Sequence, residues 1–147
     1  MANERKSVRD VMTPNPQCVS EKDTVRDAAR IMKEQDTGVV PVVDGKKVVG
    51  LITDRDIVIR CVAEGKNPLD ARVSDVMTKS VRKVKEDATI NEVLTMMSSA
   101  EIRRLPVVDR NDDLVGIVSI GDIAMEGKQD GKVGQAVEQI SQAPPNN

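Results

Sequence analysis

Sliding the chain along itself by 65 residues lays VRDVMT (8–13) over VSDVMT (73–78) and VVPVVD (39–44) over RLPVVD (104–109). The halves are repeats, and self-similarity at one fixed period means a supersecondary unit built twice. One residue is gained between the matched runs, DGKK against DRNDD, where a turn tolerates insertion. Past it, Gly50, Thr53, Asp56 and Ile57 fall over Gly116, Ser119, Asp122 and Ile123 at an offset of 66.

Both halves give the same order of elements. Val25, Ala28, Ala29 and Met32 recur at i, i+3, i+4 and i+7, as do Ile90, Val93, Leu94 and Met97, so each half carries an amphipathic helix with its methionine in the core. Thr24 with Asp27 and Thr89 with Glu92 open these helices as capping boxes. Next come VVPVV and VVGLIT around DGKK, and LPVV and LVGIVS around DRNDD, which read as hairpins. A second helix starts near Asp54 or Ile120. The predicted fold class is α+β: two pseudo-twofold-related repeats, each strand-helix-strand-strand-helix with a small mixed sheet and two helices. One such unit buries little apolar area alone, so the pair is expected to pack sheet edge to sheet edge. The expected boundaries are 7–66 for the first repeat, 67–72 (NPLDAR) for the linker and 73–127 for the second repeat. Val133, Ala136, Val137 and Ile140 predict a further helix over 131–141, ahead of a disordered tail at 142–147.

Composition removes whole classes of function. The net charge is -2, with no basic footprint for nucleic acid. With two cysteines and no histidine, the usual zinc and iron-sulfur ligand sets cannot be assembled, so no metal site is expected. Cys18 and Cys61 read as reduced, buried or semi-buried thiols of a cytoplasmic protein. No Cys-His pair, triad or phosphate loop is present, and the chain is not expected to be an enzyme. No run approaches the length of a membrane span. Aromatic content is zero, so a bound heterocycle would be clasped by aliphatic side chains and backbone amides.

The candidate site is the doubled hydroxyl and carboxylate, Thr53 with Asp56 and Ser119 with Asp122. Each is first of all a helix cap, contributing about 1 kcal/mol. Gly50 and Gly116, three residues earlier, let another group approach the backbone. A helix N-terminus favours an anion, and a carboxylate in the first turn can hold the hydroxyls of a ribose. Together these fit a nucleoside phosphate.

DVMT, PVVD and G-h-h-[TS]-x-x-D-I, each occurring twice in this order, resemble the cystathionine-β-synthase-type (CBS) domain. Two in tandem look like a CBS pair, or Bateman module, similar in layout to the small stand-alone hypoxic response protein type. The resemblance covers about residues 7–127. It implies a regulatory module that senses energy or metabolite state by binding an adenosine-containing ligand, AMP, ADP or ATP foremost, with S-adenosylmethionine and NAD(H) as relatives, and no obligatory cofactor. By position it implies that Asp56 and Asp122 accept the ribose hydroxyls and that Thr53 and Ser119 contact ribose or phosphate. Adenine is then expected against the segment before the PVV strand of the opposite repeat, Thr37, Gly38 and Val39 in one cleft and Ile102 and Arg103 in the other, with Thr13 and Thr78 lining the base. Arg103 and Arg104 fall where basic residues meet phosphate, and a guanidinium fork suits phosphate oxygens. Arg55 and Arg60 rank lower, since Asp56 and Arg60 have ordinary i, i+4 spacing. A homodimer and an unidentified downstream protein are the implied partners, and the alternative is a ligand-independent dimeric scaffold.

Overall fold

The computed structural model describes residues 6–79 and 81–126. The expected helix at 131–141 and the tail at 142–147 lie outside the described residues. The architecture is α+β, with α1 Val25–Gln35, α2 Asp54–Ile57, α3 Val73–Val76, α4 Ile90–Ala100 and α5 Ile120–Glu126. The strands are β1 Thr13–Pro14, β2 Val39–Asp44, β3 Lys47–Thr53, β4 Val84–Lys85, β5 Arg104–Val108 and β6 Leu114–Ser119. No helix among the described residues is long and apolar enough to cross a membrane.

Packing divides the chain differently from the sequence repeat. Among the described residues, one compact unit holds 6–15 together with those from Arg82 to Glu126; the other holds Pro16–Val81. The first VMT run thus packs with the second hairpin, and the second VMT run with the first. Burial explains the exchange: Val8 is enclosed with Leu94, Met97 and Leu105, whereas Val73, Val76 and Met77 are enclosed with Val25, Val40 and Ile52. Each unit follows one plan. In the first-named unit the sheet order is β1-β6-β5-β4, with β4 parallel to β5 and the rest antiparallel. In the other, the β2-β3 hairpin is flanked by single bridges, Val19 parallel to Val42 and Thr78 antiparallel to Leu51. These bridges match Val84↔Val107 and Thr13↔Ile117 in the repeat.

A proline inside a central strand normally removes a ladder bond. Here the parallel bridge at Val19 uses the carbonyl of Pro41 (3.0 Å) and the amide of Val43 (2.8 Å), so the N–H that Pro41 lacks is never called upon. The 67–72 segment is more than a connector. The carbonyls of Ala71 and Pro68 accept the amides of Val25 and Arg26 at 2.9 and 3.1 Å, satisfying two first-turn donors of α1.

All four capping boxes form as read. In α1 the Thr24 amide donates to Asp27 Oδ2 at 3.0 Å, and this bond first, then the Thr24 hydroxyl, holds the Asp27 carboxyl below its ordinary pKa. A depressed carboxyl adds stability that is present above its unfolded pKa and is lost as pH falls through the folded value. Asp27→Asn is therefore expected to flatten the acid limb of a melting temperature against pH curve below about pH 4, by a small amount because water screens the group.

Candidate functional site

Each first helix of a repeat ends on a residue in the left-handed region, Asp36 at φ 51° and Glu101 at φ 55°. The amides that follow, Thr37 and Ile102, bond back to the carbonyls of Met32 and Met97 at 3.0 Å each. A non-glycine residue pays about 1 kcal/mol or more in this conformation, so both repeats hold this reversal against local preference. It delivers Thr37–Gly38–Val39 and Ile102–Arg103–Arg104 into β2 and β5, where Val39 pairs with Thr53 and Arg104 with Ser119. The Asp54 amide then donates to Gly38 O at 3.0 Å, and the Ile120 amide to Arg103 O at 2.8 Å. Hydroxyl, carboxylate and pre-strand segment of the same repeat therefore lie together in the same unit, which corrects the expectation that each carboxylate faces the pre-strand segment of the opposite repeat: the hairpin pairing of Val39 with Thr53 and of Arg104 with Ser119 fixes it.

The caps themselves are reciprocal. Thr53 Oγ1 accepts the Asp56 amide at 3.0 Å while Asp56 Oδ2 accepts the Thr53 amide at 3.1 Å. Ser119 Oγ accepts the Asp122 amide at 3.1 Å while Asp122 Oδ2 accepts the Ser119 amide at 3.0 Å. Capping uses one acceptor position on each hydroxyl and leaves its proton available to donate. The carboxylates differ in surroundings: Asp56 is 7% exposed, whereas Asp122 is only half-buried. Thr78 Oγ1 lies 3.4 and 3.3 Å from Asp56 Oδ1 and Oδ2. Its counterpart Thr13 sits opposite Ile117 and is exposed, and no hydrogen bond joins it to Asp122 among the described residues.

Three features depart from the sequence reading. The group that approaches Gly50 is the VMT strand of its own unit: a Cβ there would lie 2.6 Å from Thr78 O, and at Gly116 it would meet Met12 Sδ and, at 3.0 Å, Thr13 O. The Asp56–Arg60 pair does not form. After α2 the chain winds as π-helix over Val58–Val62, which breaks the i, i+4 stacking, and Arg60 instead donates to Val76 O and Met77 O at 3.3 and 3.0 Å. Finally, α2 is a single α-turn carrying two acids, Asp54 and Asp56, so its N-terminal dipole is short and already faced by negative charge. Sequence comparison of the repeats contained the last point: Ile120 stands where the first repeat has Asp54.

Two surface concavities lie at the opposite, turn end of the hairpins. One is lined by Ser20, Glu21, Lys22, Asp44 and Arg72, the other by Arg9, Lys85, Glu86, Asp87 and Asp109. They are repeat-related, and neither is lined by a predicted site residue. Of the two cysteines, Cys61 is buried and its Sγ donates to Lys66 O at 3.5 Å, whereas Cys18 is exposed, contrary to expectation. Neighbouring Val19 takes the inward position, bridged to Val42, and leaves Cys18 outside. Partial cover of the thiol, then the charge of Asp23, still raises the Cys18 pKa.

The CBS domain model matches residues 8–62 and again 73–127. The chain belongs to the CBS-domain family and carries the domain as a tandem pair. Hypoxic response protein 1 of Mycobacterium tuberculosis is 39% identical over 119 residues, spanning 80% of this chain and 82% of that one. The crystal structure of Hypoxic Response Protein I, with two coordinated zinc ions, superposes at TM-score 0.74 with 37% identity over 82% of this chain and 98% of that one. Among the described residues here, no group of three or more His, Cys, Asp or Glu could hold a metal ion. CBSX2 in complex with AMP gives TM-score 0.71 and 29% identity over 84% of this chain and 96% of that one. The CBS pair of MJ0100, in complex with 5′-methylthioadenosine and S-adenosyl-L-methionine, gives 0.74 and 30% over 85% and 98%.

Proposed function

We propose that this chain is a regulatory module that binds an adenine nucleotide, AMP, ADP or ATP, and acts as an energy or metabolite sensor rather than as an enzyme. Asp56 and Asp122 accept the ribose hydroxyls. Thr53 and Ser119 donate their free protons to ribose or phosphate oxygens, and Thr13 and Thr78 line the base. Thr37, Gly38 and Val39, and Ile102 and Arg103, supply aliphatic and main-chain surface for adenine. The observation that carries this reading is the repeated junction in which the first helical amide bonds the pre-strand carbonyl, Asp54 to Gly38 and Ile120 to Arg103, gathering acid, hydroxyl and apolar segment twice. The AMP bound by CBSX2 and the two adenosyl ligands bound by the MJ0100 pair support it.

Phosphate is expected at the second repeat. Arg103 and Arg104 flank Ser119 there, and Ile120 replaces the acid of the first repeat. The module acts in the cytoplasm as a homodimer that signals to a downstream protein. The exposed Val58, Ile59 and Val62 offer apolar surface for the second copy.

Because the chain has no Trp or Tyr, the test is circular dichroism melting or calorimetry with AMP, ADP and ATP, after removal of any carried-over ligand. A hundredfold excess over Kd is expected to stabilise the fold by about 2.7 kcal/mol. A flat response to all three nucleotides rejects the reading. The second reading, a ligand-independent scaffold, is favoured by one fact: both hydroxyls and both acids already have cap partners. Native mass spectrometry reports the subunit count and retained small molecules together.

A further inference from the structure

We propose that Arg60 and Thr78 form a latch over the first-repeat carboxylate, so that the Ser119–Asp122 site fills first and the Thr53–Asp56 site only when the latch opens. This rests on the ligand reading of the two caps. Thr78 presents its hydroxyl to both oxygens of Asp56, at 3.4 and 3.3 Å, and the Thr53 amide takes Oδ2 at 3.1 Å, so a ribose arriving there has to displace a hydroxyl already in place. Separations of this length mark a loose contact that a ligand hydroxyl can replace. What keeps Thr78 there is main-chain geometry: its amide and carbonyl both bond Leu51, at 2.8 and 3.0 Å, and the Arg60 guanidinium grips the two carbonyls just before it, Val76 and Met77. Arg60 is a positioning residue. It reaches these carbonyls from the π-helical segment, away from the i, i+4 partner that its spacing offered.

Among the described residues, the second repeat shows no counterpart of the Thr78 contact. Thr13 holds the equivalent register but makes no bond to Asp122 among the described residues. At the sequence position of Arg60 stands Glu126, a residue type with no guanidinium to grip two carbonyls. Together with Asp54 beside one site and Ile120 beside the other, the duplicated motif therefore yields one open and one latched carboxylate.

Two measurements test this. On the unliganded protein, Arg60→Gln is expected to speed amide exchange at Leu51 and Thr78 about fivefold, while Asn15, whose amide bonds Val115 O, is unchanged. AMP calorimetry is then run in two single-site backgrounds, Asp122→Asn leaving the first site and Asp56→Asn leaving the second. The first site is expected to bind more weakly. In the Asp122→Asn background, Arg60→Gln and Thr78→Val each tighten AMP about three- to fivefold and do not add. Equal affinities in the two backgrounds, or AMP binding indifferent to Arg60→Gln and Thr78→Val, overturns the latch. Absence of AMP binding in both backgrounds overturns the ligand reading and the order of filling; unchanged exchange at Leu51 and Thr78 overturns the grip of Arg60 whatever AMP does.

Discussion

Asp122→Asn is expected to leave the melting temperature of the unliganded protein nearly unchanged and to weaken AMP binding about thirtyfold or more. The two halves of this result come from the two oxygens of one carboxylate. Oδ2 accepts the Ser119 amide at 3.0 Å, and an asparagine carbonyl oxygen can take over that role, so the cap survives. The other position then carries an NH2 group, a donor turned toward ribose hydroxyls that need an acceptor. Asp122→Ala removes cap and ligand contact together, and is expected to lose about 1 kcal/mol of stability in addition. Calorimetry and circular dichroism melts on both variants separate the two roles. If Asp122→Asn binds AMP as the parent does, the carboxylate serves the helix alone, and its role toward the ribose hydroxyls is overturned.

What the sequence makes legible here is short-range chemistry. A capping box joins residues three apart, so Thr24, Thr53, Thr89 and Ser119 could be assigned without knowing what lies around them. The hairpins and the apolar stripes of α1 and α4 are legible for the same reason, since a period of two or 3.6 is written into neighbouring positions. Pairing between distant segments is another matter. VRDVMT and VSDVMT are nearly the same string, and no local preference assigns either to a particular hairpin. The assignment is made by the core, where Val8 meets Leu94 and Leu105 and where Val73 and Val76 meet Val25 and Ile52. The linker NPLDAR has little periodicity, yet its carbonyls complete the first turn of α1, a service no local pattern announces. Arg60 was hidden by its own plausibility: i, i+4 spacing to Asp56 is a good helical pair only while the helix stays α, and the π-winding after Ile57 removes that condition.

Gly50→Ala is expected to destabilise the protein by about 2–3 kcal/mol and to lower its melting temperature by roughly 5–10 °C. Gly50 is buried in β3, and the methyl group would arrive 2.6 Å from Thr78 O and 3.2 Å from Met77 Sδ. The sulfur belongs to a flexible side chain and can retreat, but the carbonyl cannot. It accepts the Leu51 amide at 3.0 Å, and the Thr78 amide returns a bond to Leu51 O at 2.8 Å. Making room means parting these two strands, losing both bonds and uncovering Met77, which is 4% exposed. Gly116→Ala provides the internal control. There the nearest obstacle is Met12 Sδ, on a half-buried and intrinsically flexible side chain, with Thr13 O further off at 3.0 Å, so about half the loss is expected. Thermal melts of the two variants side by side decide the matter, and a Gly50→Ala protein as stable as the parent contradicts the packing of the VMT strand against β3. The same variant reports on the site, because the strand displaced from Gly50 is the one that carries Thr78 to Asp56: a glycine placed for backbone approach also sets the distance between a hydroxyl and the carboxylate it covers.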